Sequence, residues 1–361
     1  MTLFERESRV VIRPEILTLP AYKQGRPAPA NAFKLSSNEN PFPTPEWVTD
    51  AMAEAQVSRY PESTSRVVRE RIAANWNCDV DEVIVGAGSV SILYQLIQAV
   101  SGPGDNIVFA WRSFEAYPWI ATVAGAEAIR VPNLPDHRHD LDAMVAAVTP
   151  RTRAVILCTP NNPTGAAITT DEFHDVVSRI PEDVLIILDE AYAEFSHDPE
   201  IVCGKKVTGQ YPNVVTLRTF SKAYGLAGLR IGYGIGPASI FQAATSTAIP
   251  MVVTEQAQRA ALAVLDHNDD AMARVMELCA RRDLVWNRLV EQGWSAPKPH
   301  GNFVWLPTGD DTDAAAAILE EGGIIARVFS GDGIRVTIGE ADSVEPFLAA
   351  TARIIDANLR H

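Results

Sequence analysis

The chain has 361 residues, more than one small core requires, so two domains are expected. Hydrophobic residues make up 47% and charged residues 21%, the balance of an ordinary folded protein. The net charge of −14 argues against nucleic-acid binding, which needs clustered lysine and arginine, but leaves room for a small anionic ligand held by a few local cations. No apolar stretch reaches the roughly 18 residues of a membrane span. Met1 to Arg13 is charged and lacks the apolar heart of a signal peptide. Cys78, Cys158, Cys203 and Cys279 show no metal-ligand spacing, so no metal site and a reducing, cytoplasmic setting are expected.

In chain order, residues 1–45 read as an extended N-terminal arm, because Pro41, Pro43 and Pro45 forbid regular helix or central strand. Helical periodicity then covers about 64–76, 89–100, 113–124 and 171–179. Short apolar, β-branched runs fall at 82–86, 106–110, 127–131, 154–158, 184–188, 214–218 and 229–235. Seven strands separated by helices imply an α/β fold, a mostly parallel sheet covered on both faces, over 46–250. Residues 252–290 turn helical, and strands near 303–305, 324–328 and 334–338 with helices at 312–320 and 343–359 predict a smaller α/β domain over 251–361.

The most informative stretch is Thr219-Phe220-Ser221-Lys222-Ala223-Tyr224-Gly225-Leu226-Ala227-Gly228-Leu229-Arg230. A lone Ser-Lys pair says little, since most lysines are solvated. Lys222, however, follows the buried-strand run 214–218, at the carboxyl end of a strand, where open α/β sheets bind ligands. A lysine among apolar groups and near cations loses proton affinity and becomes a nucleophile toward an aldehyde. With Asn161-Asn162-Pro163-Thr164-Gly165 and Asp189-Glu190-Ala191-Tyr192, it points to pyridoxal 5′-phosphate (PLP) held as an imine.

That cofactor dictates the companions. Its ring nitrogen stays protonated beside a buried carboxylate, and Asp189 ends the run 184–188; capping a following helix is the other reading of Asp189. Tyr192 and Asn162 are candidate donors to the phenolic oxygen. Gly86-Ala87-Gly88-Ser89-Val90-Ser91 joins a strand to an apolar helix and offers amides to an anion, without matching the dinucleotide fingerprint. Thr219, Ser221 and Arg230 complete a phosphate cage. Phe114 is placed to cover the ring, unless it is simply core. Arg335 is a charge inside an apolar strand, held by an internal salt bridge or a substrate carboxylate; Arg327 lies in a similar setting.

These motifs, in this order, resemble the fold-type I PLP-dependent aminotransferases, in the branch of histidinol-phosphate aminotransferases and their actinobacterial aromatic amino acid (phenylalanine) aminotransferase relatives. The matches also include Leu19-Pro20-Ala21-Tyr22, Ser37-Asn38-Glu39-Asn40-Pro41, Arg59-Tyr60-Pro61 and Gly333 to Thr337. The resemblance implies a homodimer in which Lys222 carries the cofactor, Asp189 pairs with its ring nitrogen and Asn162 and Tyr192 bind its phenolate. Gly88, Ser89, Val90, Thr219, Ser221 and Arg230 surround the phosphate, with Tyr60 reaching it from the second subunit. Tyr22, Asn38, Asn162, Arg327 and Arg335 line the substrate site, Arg335 taking the α-carboxylate, and the N-terminal arm packs with the small domain and the partner.

Two departures from the histidinol-phosphate pattern matter. Val90 stands where that group has an acidic residue, and Ser113-Phe114-Glu115-Ala116-Tyr117 replaces its Thr-Tyr-Gly-x-Tyr. Both are similar to the aromatic branch, which implies transfer of an amino group from Phe or Tyr to 2-oxoglutarate with ping-pong kinetics. Histidinol-phosphate transamination is the alternative and a related decarboxylase a third. A transcription regulator built on such a domain would need a basic DNA-binding segment, which this chain lacks.

Overall fold

The computed structural model describes residues 10–20, 28–29 and 31–359. Seven strands form the larger sheet: β2 (Val83–Gly86), β3 (Asn106–Trp111), β4 (Glu127–Pro132), β5 (Thr152–Cys158), β6 (Leu185–Asp189), β7 (Val214–Thr219) and β8 (Gly232–Ile235). Their order is β2-β8-β7-β6-β5-β3-β4, parallel throughout except for β8, which runs antiparallel to both neighbours. The fold is thus an α/β sandwich around a mostly parallel seven-stranded sheet, as the short unalternating apolar runs predict. Strands buried on both faces show no polar alternation: every residue of Leu185–Asp189 is buried. One face is covered by the helices Ser89–Val100 and Ala116–Ala124, through Ile92, Leu96, Tyr117 and Ile120. The other is covered by the helix Thr170–Arg179, through Phe173, Val176 and Val177.

A second, four-stranded sheet has the order β1-β10-β11-β9, from β1 (Phe33–Leu35), β9 (Phe303–Leu306), β10 (Ile324–Phe329) and β11 (Gly333–Thr337). The arm expected to be merely extended therefore contributes β1, parallel to β10. Three residues beside three prolines carry too little periodicity to announce a strand, and the edge of β10 supplies the order. Packing also bears on where the domains meet. The helix Glu255–Asp266 buries Ala257, Ala260, Ala261 and Val264 against Val48, Val68, Phe220 and Tyr233 of the large sheet's layer. The helix Asn268–Glu291 instead packs Val275, Leu278 and Leu289 against the small sheet. We therefore place the domain change near His267 rather than at residue 250.

The expected strand 229–235 starts only at Gly232, because Ala227–Leu229 forms a short 3-10 turn. Arg230 follows in the left-handed region, at φ 53°. That conformation is costly for a residue with a Cβ, and it turns the guanidinium back toward Ser221, Nη1 to Oγ 3.2 Å.

A buried ion triad fixes the ends of the two strands that carry the chemistry. Arg218 donates from Nε to Glu190 (2.7 Å) and from Nη1 to Glu194 (2.9 Å), all three side chains being nearly sealed from solvent. Glu190 also accepts from the Gly204 amide at 2.7 Å, so both its oxygens are bonded. Removing the cation leaves two buried carboxylates uncompensated, an imbalance that typically costs about 3–5 kcal/mol. Arg218→Leu is therefore expected to lose that much in chemical denaturation, and a change below about 1 kcal/mol, the range of an exposed pair, would contradict the assignment.

Candidate active site

The carboxyl ends of β2, β6 and β7 open into one cleft, closed on its far side by β11 of the small sheet. Asp189 is the last residue of β6 and pairs in register with Leu217 of β7. Three residues beyond Thr219, at the end of β7, the chain turns and presents Lys222, whose Nζ donates to the Ser37 carbonyl (3.1 Å) and lies 5.9 Å from the centroid of the Tyr192 ring. Burial, then the Arg335 and Arg230 charges, push the Lys222 ammonium down to about 7, with Glu39 opposing. The amine therefore exchanges its proton near neutral pH, with both forms present.

Asp189 is 6% exposed. Tyr117, fully buried on the helix that follows β3, donates to its Oδ2 at 2.7 Å. Among the described residues its Oδ1 has no hydrogen-bond partner. Burial raises this carboxyl's pKa, and the Tyr117 hydrogen bond opposes the rise. Phe114 meets the Tyr117 ring edge-on, centroids 5.5 Å apart.

The turn before the helix Ser89–Val100 needs glycine twice. Gly88 sits at φ 77°, and a Cβ there would lie 2.7 Å from the Arg230 guanidinium. Gly232 of β8 runs so close to the Ser89 amide that any side chain would collide with it. The first amides of the helix, the Ser221 and Thr219 hydroxyls and Arg230 accordingly surround one small volume; Ser221 N–H donates to Thr219 Oγ1 at 3.1 Å. Val90, beside them, packs against the large sheet's core. A helix N-terminus with an arginine over it attracts an anion.

The small sheet adds Arg335, 7% exposed, donating to the Asn162 side-chain oxygen at 2.5 Å and to the Ser36 carbonyl at 2.7 Å. Asn38 binds Tyr192 and Thr337 through its side chain. Arg327, opposite Arg335 in the β10–β11 ladder, is ion-paired with Glu115 at 2.7 Å. With the Arg112–Asp332 pair at 2.5 Å, this contact ties β10 and β11 to the loop carrying Phe114. Tyr60 is 86% exposed. Tyr22 lies outside the described residues.

Tyr117 escaped the sequence reading. Its only signal was a tyrosine, rather than a phenylalanine, among the apolar residues of a buried helix, since a buried phenol seeks a partner. That partner is 72 residues away in sequence and visible only once the strands are ordered.

A nucleophilic lysine at a strand's carboxyl end, a half-satisfied buried carboxylate and an anion cradle define a group-transfer enzyme of the α/β class. Residues 30–350 match the family described as aminotransferase class I and II, and the chain belongs to that family. It is 44% identical over 352 residues to an aromatic amino acid aminotransferase of Streptomyces avermitilis, covering 96% of this chain and 98% of that one. It is 48% identical over 323 residues to the Cutibacterium acnes protein of the same name, covering 89% and 92%. Among solved structures, histidinol-phosphate aminotransferase from Sinorhizobium meliloti in complex with pyridoxal-5′-phosphate superposes with a TM-score of 0.86 at 24% identity, covering 98% and 99%.

The lowered lysine makes a prediction independent of turnover. In the cofactor-free protein, an amine-selective acylating reagent should label Lys222 with a rate that rises through pH 7 and levels off above pH 8, followed by peptide mass spectrometry. Half-maximal labelling near 10.5, where an ordinary lysine titrates, would contradict the burial argument.

Proposed function

We propose that this aminotransferase carries PLP and moves the amino group of an aromatic L-amino acid, Phe or Tyr, to 2-oxoglutarate. The observation that carries the cofactor reading is Asp189: a buried carboxylate whose Oδ1 has no protein partner suits a protonated ring nitrogen. The residues present fit the rest of the group. Gly88, Ser89, Val90, Thr219, Ser221 and Arg230 form a cradle of phosphate size, and a Cβ at Gly88 would press on the Arg230 guanidinium that completes it. Asn162 and Tyr192 would face the phenolic oxygen and Phe114 the ring. When bound, the cofactor supplies an electron sink for charge developing at the substrate's Cα.

The chain's own groups do the remainder. Lys222, which titrates near pH 7, would hold the cofactor covalently, and once released would be a base of matched strength for the Cα proton. Arg335 offers a fixed, water-excluded fork for the α-carboxylate. It is held in place by Asn162 and Ser36. Because Glu115 already neutralises Arg327, that residue is read as shaping the pocket wall through its ion pair rather than as a second open cation. The aromatic preference rests on the names of relatives 44–48% identical over most of their length, and on Val90 and Phe114, which give the cradle and ring-covering positions apolar side chains.

Tyr60 supports a homodimer. A tyrosine 86% exposed on one subunit, in the same region as exposed Val57, is suited to a partner's phosphate cradle. Sedimentation should return twice the 39.3 kDa chain mass, and a fully active monomer would overturn the assembly.

A half-reaction screen tests the activity. Mixed with single amino donors, the loaded protein should change its absorption fastest with Phe or Tyr. Efficiency dominated by histidinol phosphate would move the assignment to that substrate. Arg335→Leu should raise KM for Phe by about 10- to 100-fold, the worth of a charge-assisted hydrogen-bond pair, and an unchanged KM would remove Arg335 from the substrate site.

A further inference from the structure

Asn38 is fully buried and holds φ at 51°, a left-handed backbone that asparagine tolerates. Its main-chain N–H donates to Thr337 Oγ1 at 2.9 Å. The same hydroxyl lies 3.0 Å from Asn38 Oδ1, and Asn38 Nδ2 lies 2.9 Å from Tyr192 Oη.

These contacts fix the hydrogens by elimination. A hydroxyl carries one proton. Thr337 Oγ1 accepts from the amide and, among the described residues, is bonded to no other side chain or carbonyl, so its own proton goes to Asn38 Oδ1. The reverse orientation of the carboxamide would leave that buried hydroxyl proton with no acceptor. Oδ1 therefore faces Thr337, and Nδ2 must donate to Tyr192. Tyr192 Oη thus accepts from Asn38, and its single proton is turned away from Asn38, available to a ligand in the cleft.

We infer that Asn38 is a positioning residue that orients the Tyr192 hydroxyl as a donor toward the cofactor's phenolate, through a directed chain anchored on Thr337 of β11. The inference rests on the PLP reading above. It replaces direct substrate contact as the role of Asn38, since both ends of the carboxamide are engaged within the protein. A second consequence follows from register. Thr337 is two residues from Arg335 on one strand, so the two side chains share a face, and the carboxylate-binding strand also sets the proton direction at Tyr192.

Asn38→Asp tests this. Aspartate keeps the shape and tolerates the same backbone, but an ionised carboxylate only accepts, so Tyr192 must turn its proton toward residue 38. A phenolate that loses a donor becomes more basic and holds the proton it shares more tightly. The absorption of the reconstituted protein, titrated with pH, should therefore shift upward by at least one unit in the variant, a tenfold rise in proton affinity.

Tyr192→Phe and the double variant separate orientation from the added charge. If Asn38 acts through Tyr192, the shift caused by Asn38→Asp is much smaller once residue 192 is Phe, the remainder being the added charge alone. A shift of equal size in both backgrounds, or identical titrations for Asn38→Asp and the parent, overturns the inference while leaving the cofactor reading intact. A parent protein that takes up no cofactor on reconstitution overturns the cofactor reading itself, and one that takes it up but shows no titration overturns the inference alone. Should Asn38→Asp not fold, Thr337→Val, which frees the carboxamide to rotate, is expected to give an upward shift of the same sign; an unchanged titration there overturns the inference equally.

Discussion

Burying a carboxylate while one of its oxygens has no partner is among the least favourable arrangements a fold can keep. Asp189 is kept so by its surroundings: β5 and β7 flank its strand, and Tyr117 holds Oδ2 from the covering helix. The triad of Glu190, Arg218 and Glu194, rooted in the next residue, fixes the strand end from behind. A cationic ring nitrogen at Oδ1, as proposed above, would remove the imbalance.

Around that constraint the segment Ser36–Asn40 serves as a crossbar between the two sheets. The Ser36 carbonyl binds Arg335, the Ser37 carbonyl binds Lys222, and Asn38 joins Thr337 to Tyr192. Asn40 then donates to the Ala223 carbonyl at 3.1 Å, just past the lysine. Arg335, proposed to touch the substrate, is thereby joined through this segment to groups proposed to touch the cofactor. The ion pairs Arg112–Asp332 and Glu115–Arg327 make a second such tie, on the side of Phe114.

Much of this was legible in the sequence, for physical reasons. Strands buried on both faces announce themselves as short apolar runs, and the lysine, the carboxylate and the phosphate turn each follow the carboxyl end of one. What stayed hidden depends on partners far along the chain. Tyr117 passed for a core aromatic because its hydroxyl partner is Asp189. Nothing local reveals that the Asn38 carboxamide spans from Thr337 to Tyr192. For Arg327 the sequence left substrate contact and a structural role both open, because its ion-pair partner, Glu115, lies on the large sheet's side. β1 was read as bare arm because three residues have no period of their own. The helix Glu255–Asp266 packs on the large sheet's layer, which an amphipathic face alone does not announce.

The account stands on a single covalent geometry at Lys222 opposite Asp189. Borohydride reduction of the PLP-loaded protein, followed by proteolysis and mass spectrometry, locates the lysine that carries the cofactor. The expected result is one pyridoxyl-phosphate adduct, on Lys222, with modification near one equivalent per chain. An adduct on another lysine, or none in protein that binds the cofactor stoichiometrically, would contradict it.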